Sequence, residues 1–378
     1  MTPPDETSDR TPLHAKANGG RAPLSRIDPK SPGALALLFV LGALGGAVFA
    51  ALGLPAAWLS GAMVFTGAAA LAGLDATVPN RLRDLVYMIL GVSMGAGVTP
   101  DILDQMSAWP ISLIGLAGTV AAVTLASYGF LRKVAGWDPA TAYFAAIPGA
   151  LTMTLATAEV SNADMRKVAL SQSMRLFMLV AVLPVLVTSF EAPTGAPLDG
   201  AVTDDLMSLV LLAVGGVVGS ALAVLARIPA GVLIGAFVAS SLLHGIGLVE
   251  GQLPAAVQLP AFVALGAFLG LRFAGTSLRL VISTIAIGVG SFAVAFAASL
   301  AGAILVAELA GLGLGQVLIA FAPGGLEAMV ILAFVLGVDP AFVAAHHLAR
   351  FVAMTVVVPL FARFVLGADW DQRSARSV

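Results

Sequence analysis

The chain has 378 residues, of which 59% are hydrophobic and 11% charged, with a mean hydropathy of +0.99 and a net charge of −2. A water-soluble domain carries roughly a quarter charged residues, so an ordinary globule is excluded, and a slightly acidic chain offers no basic field for DNA or RNA. With no cysteine, disulfides, Cys-ligated zinc and Cys-ligated iron–sulfur centres are excluded as well.

Residues 1–32 are polar and rich in Pro, Ser and Gly. They are too long and too weakly charged for the start of a cleaved signal peptide and read as a disordered cytoplasmic tail. From Gly33 onward the chain offers stretches long enough to cross about 30 Å of hydrocarbon. Full spans are expected at 33–52, 55–73, 109–131, 166–190, 206–226, 229–249, 279–304 and 341–364. Shorter ones lie at 85–100 and 258–274, and the stretches 140–160 and 315–337 are each interrupted by a Pro-Gly. Gly42 with Gly46, Gly91 with Gly95, Gly231 with Gly235 and Gly266 with Gly270 have the small-xxx-small spacing that lets helices approach closely in lipid. Residues 367–378 form a second cytoplasmic tail.

The chain repeats itself. Shifted by 175 residues, Pro148–Leu186 aligns without a gap on Pro323–Phe361, with eleven of 39 positions identical, among them Pro148/Pro323, Gly149/Gly324, Asp164/Asp339, Arg175/Arg350 and Pro184/Pro359. Leu-Pro-Ala at 54–56 likewise matches Ile-Pro-Ala at 228–230. The expected organisation is all-α and membrane-integral: one repeat at 33–190, an extracytoplasmic linker at 191–205 and a second repeat at 206–366.

Each repeat holds about five crossings plus one Pro-Gly-broken segment. If the broken segments return to the side they entered, there are ten crossings and the repeats are inverted; if they cross, there are twelve and the repeats are parallel. Positive-inside counting favours the first arrangement. It gathers Arg81, Arg83, Arg132, Lys133, Arg166, Lys167, Arg227, Arg272, Arg279 and Arg363 on the cytoplasmic side with both termini, the C-terminal Arg373 and Arg376 included, and leaves the Lys/Arg-free loop with Glu191, Asp199, Asp204 and Asp205 outside.

Asp164 and Asp339 precede long apolar runs and read as helix caps, Asp339 followed by Pro at the first helical position. From there Val343, His346, His347 and Arg350 share a helix face, repeated by Val168, Ser171, Gln172 and Arg175. Each Arg lies eleven residues past its Asp, about 16 Å along a helix and near the bilayer centre, where a charge needs protein, a partner or water. Ahead of them, Pro148-Gly149 and Pro323-Gly324-Gly325 should break the helix and leave backbone groups to shape a site. A half-helix starting after Gly325 would aim its positive end at that site, which with two arginines favours an anionic solute. Glu327, opposite Thr152 in the first copy, is the candidate counter-ion to Arg350 or proton carrier, with His346 or His347 titrating beside it. Glu159 and Glu308 read as interfacial and His244 as a packed imidazole. Phosphate-binding loops, zinc-protease motifs and recognisable catalytic triads are absent from the sequence, so neither an enzyme, a metal nor a cofactor is expected. The expected partners are the bilayer and a small solute; a homo-oligomer stays open.

Ala-Pro-Gly-Gly-Leu-Glu-Ala-Met at 322–329, Gly-Val-Asp-Pro-Ala-Phe-Val-Ala-Ala-His-His-Leu-Ala-Arg at 337–350 and Ile-Pro-Gly-Ala-Leu at 147–151 resemble the AbrB-duplication family of bacterial membrane proteins, over roughly residues 34–366. The first copy departs from the family at Thr152-Met153-Thr154, where a carboxylate-bearing stretch is common. The resemblance implies a multi-pass bacterial inner-membrane protein. Members carry the names ammonia monooxygenase or AbrB family transcriptional regulator, and the family is linked to regulation of gene expression. An oxygenase needs several convergent His or carboxylate ligands, which this sequence lacks. A secondary transporter or exporter of a small solute, with Arg175, Arg350, Glu327, His346, His347 and Gln172 binding it or balancing charge, is the expected function. A membrane-embedded regulator acting through a partner, without transport, is the alternative.

Overall fold

The computed structural model describes residues 28–96, 109–149, 151–190, 202, 205–367 and 370. Most of both expected tails, residues 1–27, 368–369 and 371–378, and most of the linker lie outside these. The described residues form fourteen α-helices: α1 (Pro32–Ala51), α2 (Ala57–Leu71), α3 (Asn80–Gly95), α4 (Trp109–Lys133), α5 (Pro139–Ala146), α6 (Leu151–Glu159), α7 (Met165–Phe190), α8 (Leu206–Leu225), α9 (Gly231–Gly245), α10 (Ala255–Gly270, extended by a 3-10 turn to Phe273), α11 (Leu278–Ala310), α12 (Leu314–Phe321), α13 (Leu326–Val335) and α14 (Pro340–Leu366). Seven of these, α1, α4, α7, α8, α10 with its 3-10 turn, α11 and α14, are long and apolar enough to cross a membrane. Their surface is correspondingly greasy: Ile114, Leu125, Leu225 and Phe364 are each at least 70% exposed, which only lipid would cover without cost.

Caps fix where the helices begin. Ser31 accepts from the Ala34 amide with Pro32 just inside α1, Asp138 from Thr141 with Pro139 just inside α5, Asp205 from Met207 and Ser208, and Ser277 from Leu280. Two expected spans are shortened. α2 and α9 start only at residues 57 and 231 because the duplicated Pro-Ala turns hold Ala56 and Ala230 in the left-handed region, both at φ 52°, which costs an L-residue on the order of 1 kcal/mol. The expected span at 85–100 begins earlier, at Asn80, because Pro79 sits at the cap and can open a helix but not continue one.

Packing divides the helices into two bodies. α1–α3 pack with α8–α10, and α4–α7 with α11–α14; only α2, α3 and the 3-10 turn touch α7 and α13 across the seam with more than glancing contact. Within the first body the copies trade partners. α3 lies on α9 where Gly91 faces the Leu233 carbonyl and Gly95 faces Ser240, and α10 lies on α2 where Gly266 faces the Leu59 carbonyl and Gly270 faces Thr66. The α1–α2 contact at Gly45 and Gly61 is repeated between α8 and α9 at Gly219 and Gly235. At each site a methyl group would strike backbone, so glycine is what allows the axes this close.

Each broken segment folds as a hairpin beside the long helix that follows it. Gln172 and Arg175 on α7 bond the carbonyls of Phe144 and Ile147, and His347 and Arg350 on α14 bond those of Ile319 and Ala322, always 28 residues back. A constant offset means that α5 runs parallel to α7, and α12 to α14, each pair starting at one level. α6 and α13, lying between them in sequence, therefore run back. The base of the first hairpin is clasped directly: the Asp164 amide donates to Thr141 Oγ1 at 2.7 Å, and the Thr141 amide to Asp138 Oδ1 at 2.9 Å. Burial pushes the Asp138 carboxyl up, but the hydrogen bonds from Thr141 and neighbouring amides outweigh it and hold the group below its usual range.

Candidate functional site

The two hairpin tips meet. A Cβ on Gly149, at φ 83°, would lie 3.4 Å from the Gly324 carbonyl oxygen and 3.2 Å from Arg350 Nη2. Behind the tips stand the two arginines, each with only 5% of its surface exposed. Arg175 donates through Nη2 to Ile147 O at 2.7 Å and through Nη1 to Ala145 O at 3.3 Å. Arg350 donates to Ala322 O and Gly324 O, both at 2.6 Å, and to His347 Nδ1 at 2.8 Å. Proline and the turn that follows free these carbonyls from helix ladders, and the guanidinium fork takes them up. The first hairpin tip brings the arginines near each other, since Arg175 bonds Ile147 O and Arg350 Nη2 stands beside Gly149. Neither is in an ion pair: among the described residues the salt bridges are Arg83–Asp84 and Lys167–Asp164.

A cavity of about 440 Å³ opens on the seam between the two bodies, at the low end of the range that holds small ligands. Hairpin residues Gly149, Pro323, Gly324 and Gly325 line it, with Arg175 and Gln172 from α7, Glu327 from the first turn of α13, and Pro229, Ala230 and Arg272 from the other body. α13 has no side-chain cap, and Glu327 Oε2 lies 3.9 Å from where a Gly325 Cβ would be, folded toward the start of its own helix.

Several expected groupings separate. Arg350 turns its other side to an apolar groove of about 490 Å³ between α4 and α14 and does not line the cavity of Arg175. Glu327 does not pair with Arg350 and lines a cavity that Arg350 does not reach. The histidines do not border Glu327's cavity. His347 Nε2 donates to Ile319 O at 3.0 Å while its Nδ1 accepts from Arg350, which assigns the neutral tautomer. His346 Nδ1 donates to Phe342 O and its Nε2 accepts from Ser112 Oγ, both at 2.7 Å. Asp164 accepts from the Arg166 and Lys167 amides and Asp339 from that of Ala341, both at helix starts. Among the described residues no three His, Asp or Glu side chains gather as metal ligands would. His244 bonds Ser240 O and Gly251 O.

Sequence reasoning missed Arg272, Pro229 and Ala230 as cavity residues. The duplicated Pro-Ala had been visible as a repeat marker, but nothing in the sequence says that one copy of it faces a hairpin tip.

A match to the family described as "Transition state regulatory protein AbrB" covers residues 58–366. The chain belongs to the AbrB family. Two relatives align with this AbrB-family protein over nearly their whole length. One is "Putative regulator AbrB" of Escherichia coli (strain K12), 26% identical over 349 residues, 87% of this chain and 95% of the relative. The other is "Uncharacterized protein YhjN" of Bacillus subtilis (strain 168), 25% identical over 370 residues, 89% and 94%. The family match runs through both hairpins and both arginines, so the site lies inside the family's shared region rather than in an appendage.

Proposed function

We propose that this AbrB-family protein is a secondary transporter or exporter of a small solute bearing an anionic group. One observation carries the reading. Arg175 lines the cavity at the first hairpin tip with no carboxylate paired to it, and the like charge of Arg350, also without a carboxylate, stands at the second tip just outside that cavity. A buried charge without a counter-charge is costly, so a pair of like charges kept there is accounted for by a ligand that supplies the opposite sign. The setting supports it: hairpin tips, a small cavity and a seam between two bodies provide a site whose access could change as one body moves against the other.

The same hydrogen bonds support the inverted topology. With hairpins that return, each repeat has five crossings, the second is inverted, and the basic residues named for one side sit there together. We infer a multi-pass protein of the bacterial inner membrane with both termini cytoplasmic. No catalysis is assigned to it.

The relative named as a regulator fits at one remove, since a transporter that alters an inducer's concentration alters transcription without touching DNA. A regulator that docks a partner through its tail would lose its effect when residues 1–30 are deleted; a transporter would not. The direct test is flux in proteoliposomes over a panel of carboxylates and phosphorylated metabolites. Flux abolished by Arg350→Gln supports transport. No flux of any solute, with Arg350→Gln fully active in the cell, overturns it.

A further inference from the structure

The cavity at the seam holds charges of both signs that do not meet. Arg175 and Arg272 line it, and so does Glu327, yet neither arginine has a carboxylate oxygen within salt-bridge distance, the described ion pairs being elsewhere. For a purely anionic solute Glu327 is a liability, because its like charge repels the ligand. The repeat does not demand it, since the first copy has Thr152 at the matching position. Nor does the helix: an uncharged Ser or Thr would satisfy the free amides at the start of α13 as well. Between the charged groups the walls are apolar, formed by Met153, Leu176, Leu326 and Phe351.

We propose that the ligand is a small zwitterion with an apolar body, of the kind an apolar α-amino acid represents: its carboxylate faces Arg175 and Arg272, its ammonium faces Glu327, and its side chain lies against the apolar walls. The proposal rests on the transport reading only for the purpose of the site; the ligand class stands on the cavity itself. Separated opposite charges, Arg175 buried, Glu327 half-buried and Arg272 exposed at the rim, are then each satisfied on binding, and a ligand lacking either pole leaves one of them unmet.

The test uses the full chain in lipid nanodiscs and calorimetric binding of glycine, alanine, valine, leucine, methionine and phenylalanine. The best binder is then compared with its 2-hydroxy acid, which keeps the carboxylate, and its decarboxylated amine, which keeps the ammonium. Each half-ligand is expected to bind roughly ten- to a hundredfold more weakly, the worth of one charged hydrogen bond. Glu327→Gln should erase the preference for the amino acid over the hydroxy acid, weakening the amino acid and tightening the hydroxy acid as the like-charge repulsion is lost; Arg272→Gln should weaken both. No binding by any amino acid, equal binding of the hydroxy acid, or an unchanged preference in Glu327→Gln overturns the proposal. The wild-type comparison decides even if a variant fails to fold. Selective amino-acid binding without flux in proteoliposomes would leave the ligand class standing and overturn transport. Flux of a plain carboxylate with no amino-acid preference would do the reverse.

Discussion

Gln172 and His347 perform one task in two copies. Gln172 Nε2 donates to Phe144 O at 3.0 Å and His347 Nε2 to Ile319 O, also at 3.0 Å. A carboxamide and an imidazole thus serve as interchangeable donors that tie a long helix to the hairpin beside it, and both are buried. His347 does more than Gln172, because its second nitrogen also accepts from Arg350.

The equivalence gives a direct expectation. His347→Gln keeps the hairpin bond and should lower thermal stability only slightly, whereas Gln172→Leu leaves the Phe144 carbonyl unmet and His347→Leu leaves Ile319 O with only the 3.3 Å bond from the Ala322 amide and strips Arg350 of its Nδ1 acceptor, so each should cost about 1–3 kcal/mol. Unfolding in detergent followed by tryptophan fluorescence reads the difference. Equal losses for His347→Gln and His347→Leu would mean that packing, not the bond, holds the hairpin.

Arg175 and Arg350 call for the planar fork. Each binds at least two hairpin carbonyls at once, which an ammonium on a flexible stem does poorly. Arg175→Lys and Arg350→Lys, though they conserve charge, should reduce flux or ligand binding at least about tenfold. Binding assays beside a thermal melt check it; wild-type affinity in both lysine variants would show that charge alone suffices.

Much of this architecture was legible in the sequence for a physical reason. Helices in lipid are long, apolar and bounded by caps, and a duplicated unit marks its own landmarks, so Asp164, Asp339, the Pro-Gly breaks and the two deep arginines could all be found by counting. What those arginines touch could not. An Arg at mid-helix implies a partner, and Glu327 was the carboxylate beside the Pro-Gly break; the carbonyls that proline frees are invisible in a residue string, because every residue has one. The parallel pairing of α5 with α7 was hidden for the same reason, being written in backbone acceptors 28 residues away.

The glycine contacts predict where a methyl group is tolerated. A Cβ on Gly61 would collide with the Gly45 backbone, and one on Gly235 with that of Gly219, whereas Gly118 has nothing within 4 Å. Gly61→Ala and Gly235→Ala should each destabilise by about 1–3 kcal/mol through forced separation of the helices, and Gly118→Ala should be neutral or slightly stabilising, since Ala is the better helix former. Melting temperatures of the three variants in one detergent test this.

The clasp at the base of the first hairpin can be loosened without changing volume. Thr141→Val removes the acceptor for the Asp164 amide and should cost about 1–2 kcal/mol, raising hydrogen exchange in residues 139–147 before elsewhere. The Asp138 carboxyl, held below its usual range, adds stability that is present above its unfolded-state pKa and is lost as pH falls through the lower folded value. Exchange at the hairpin base should therefore rise on acidification, and less so in Asp138→Asn.

Topology gives the sharpest test, and the absence of native cysteine makes it simple. If the hairpins return, Ala135 and Ala163 flank the first one on a single face, and Val338, at the base of the second, lies on the other. If the broken segments crossed instead, Ala135 and Ala163 would be separated by the bilayer, while Ala163 and Val338, at equivalent points of parallel repeats, would share a side. Single cysteines at 135, 163 and 338, labelled by an impermeant maleimide in intact cells and in inverted vesicles, tell the arrangements apart. The register of α5 on α7 and of α12 on α14 predicts labelling of 135 and 163 only from inverted vesicles and of 338 from intact cells; labelling of 163 and 338 from one side would overturn both the returning hairpins and the inverted repeat built on them.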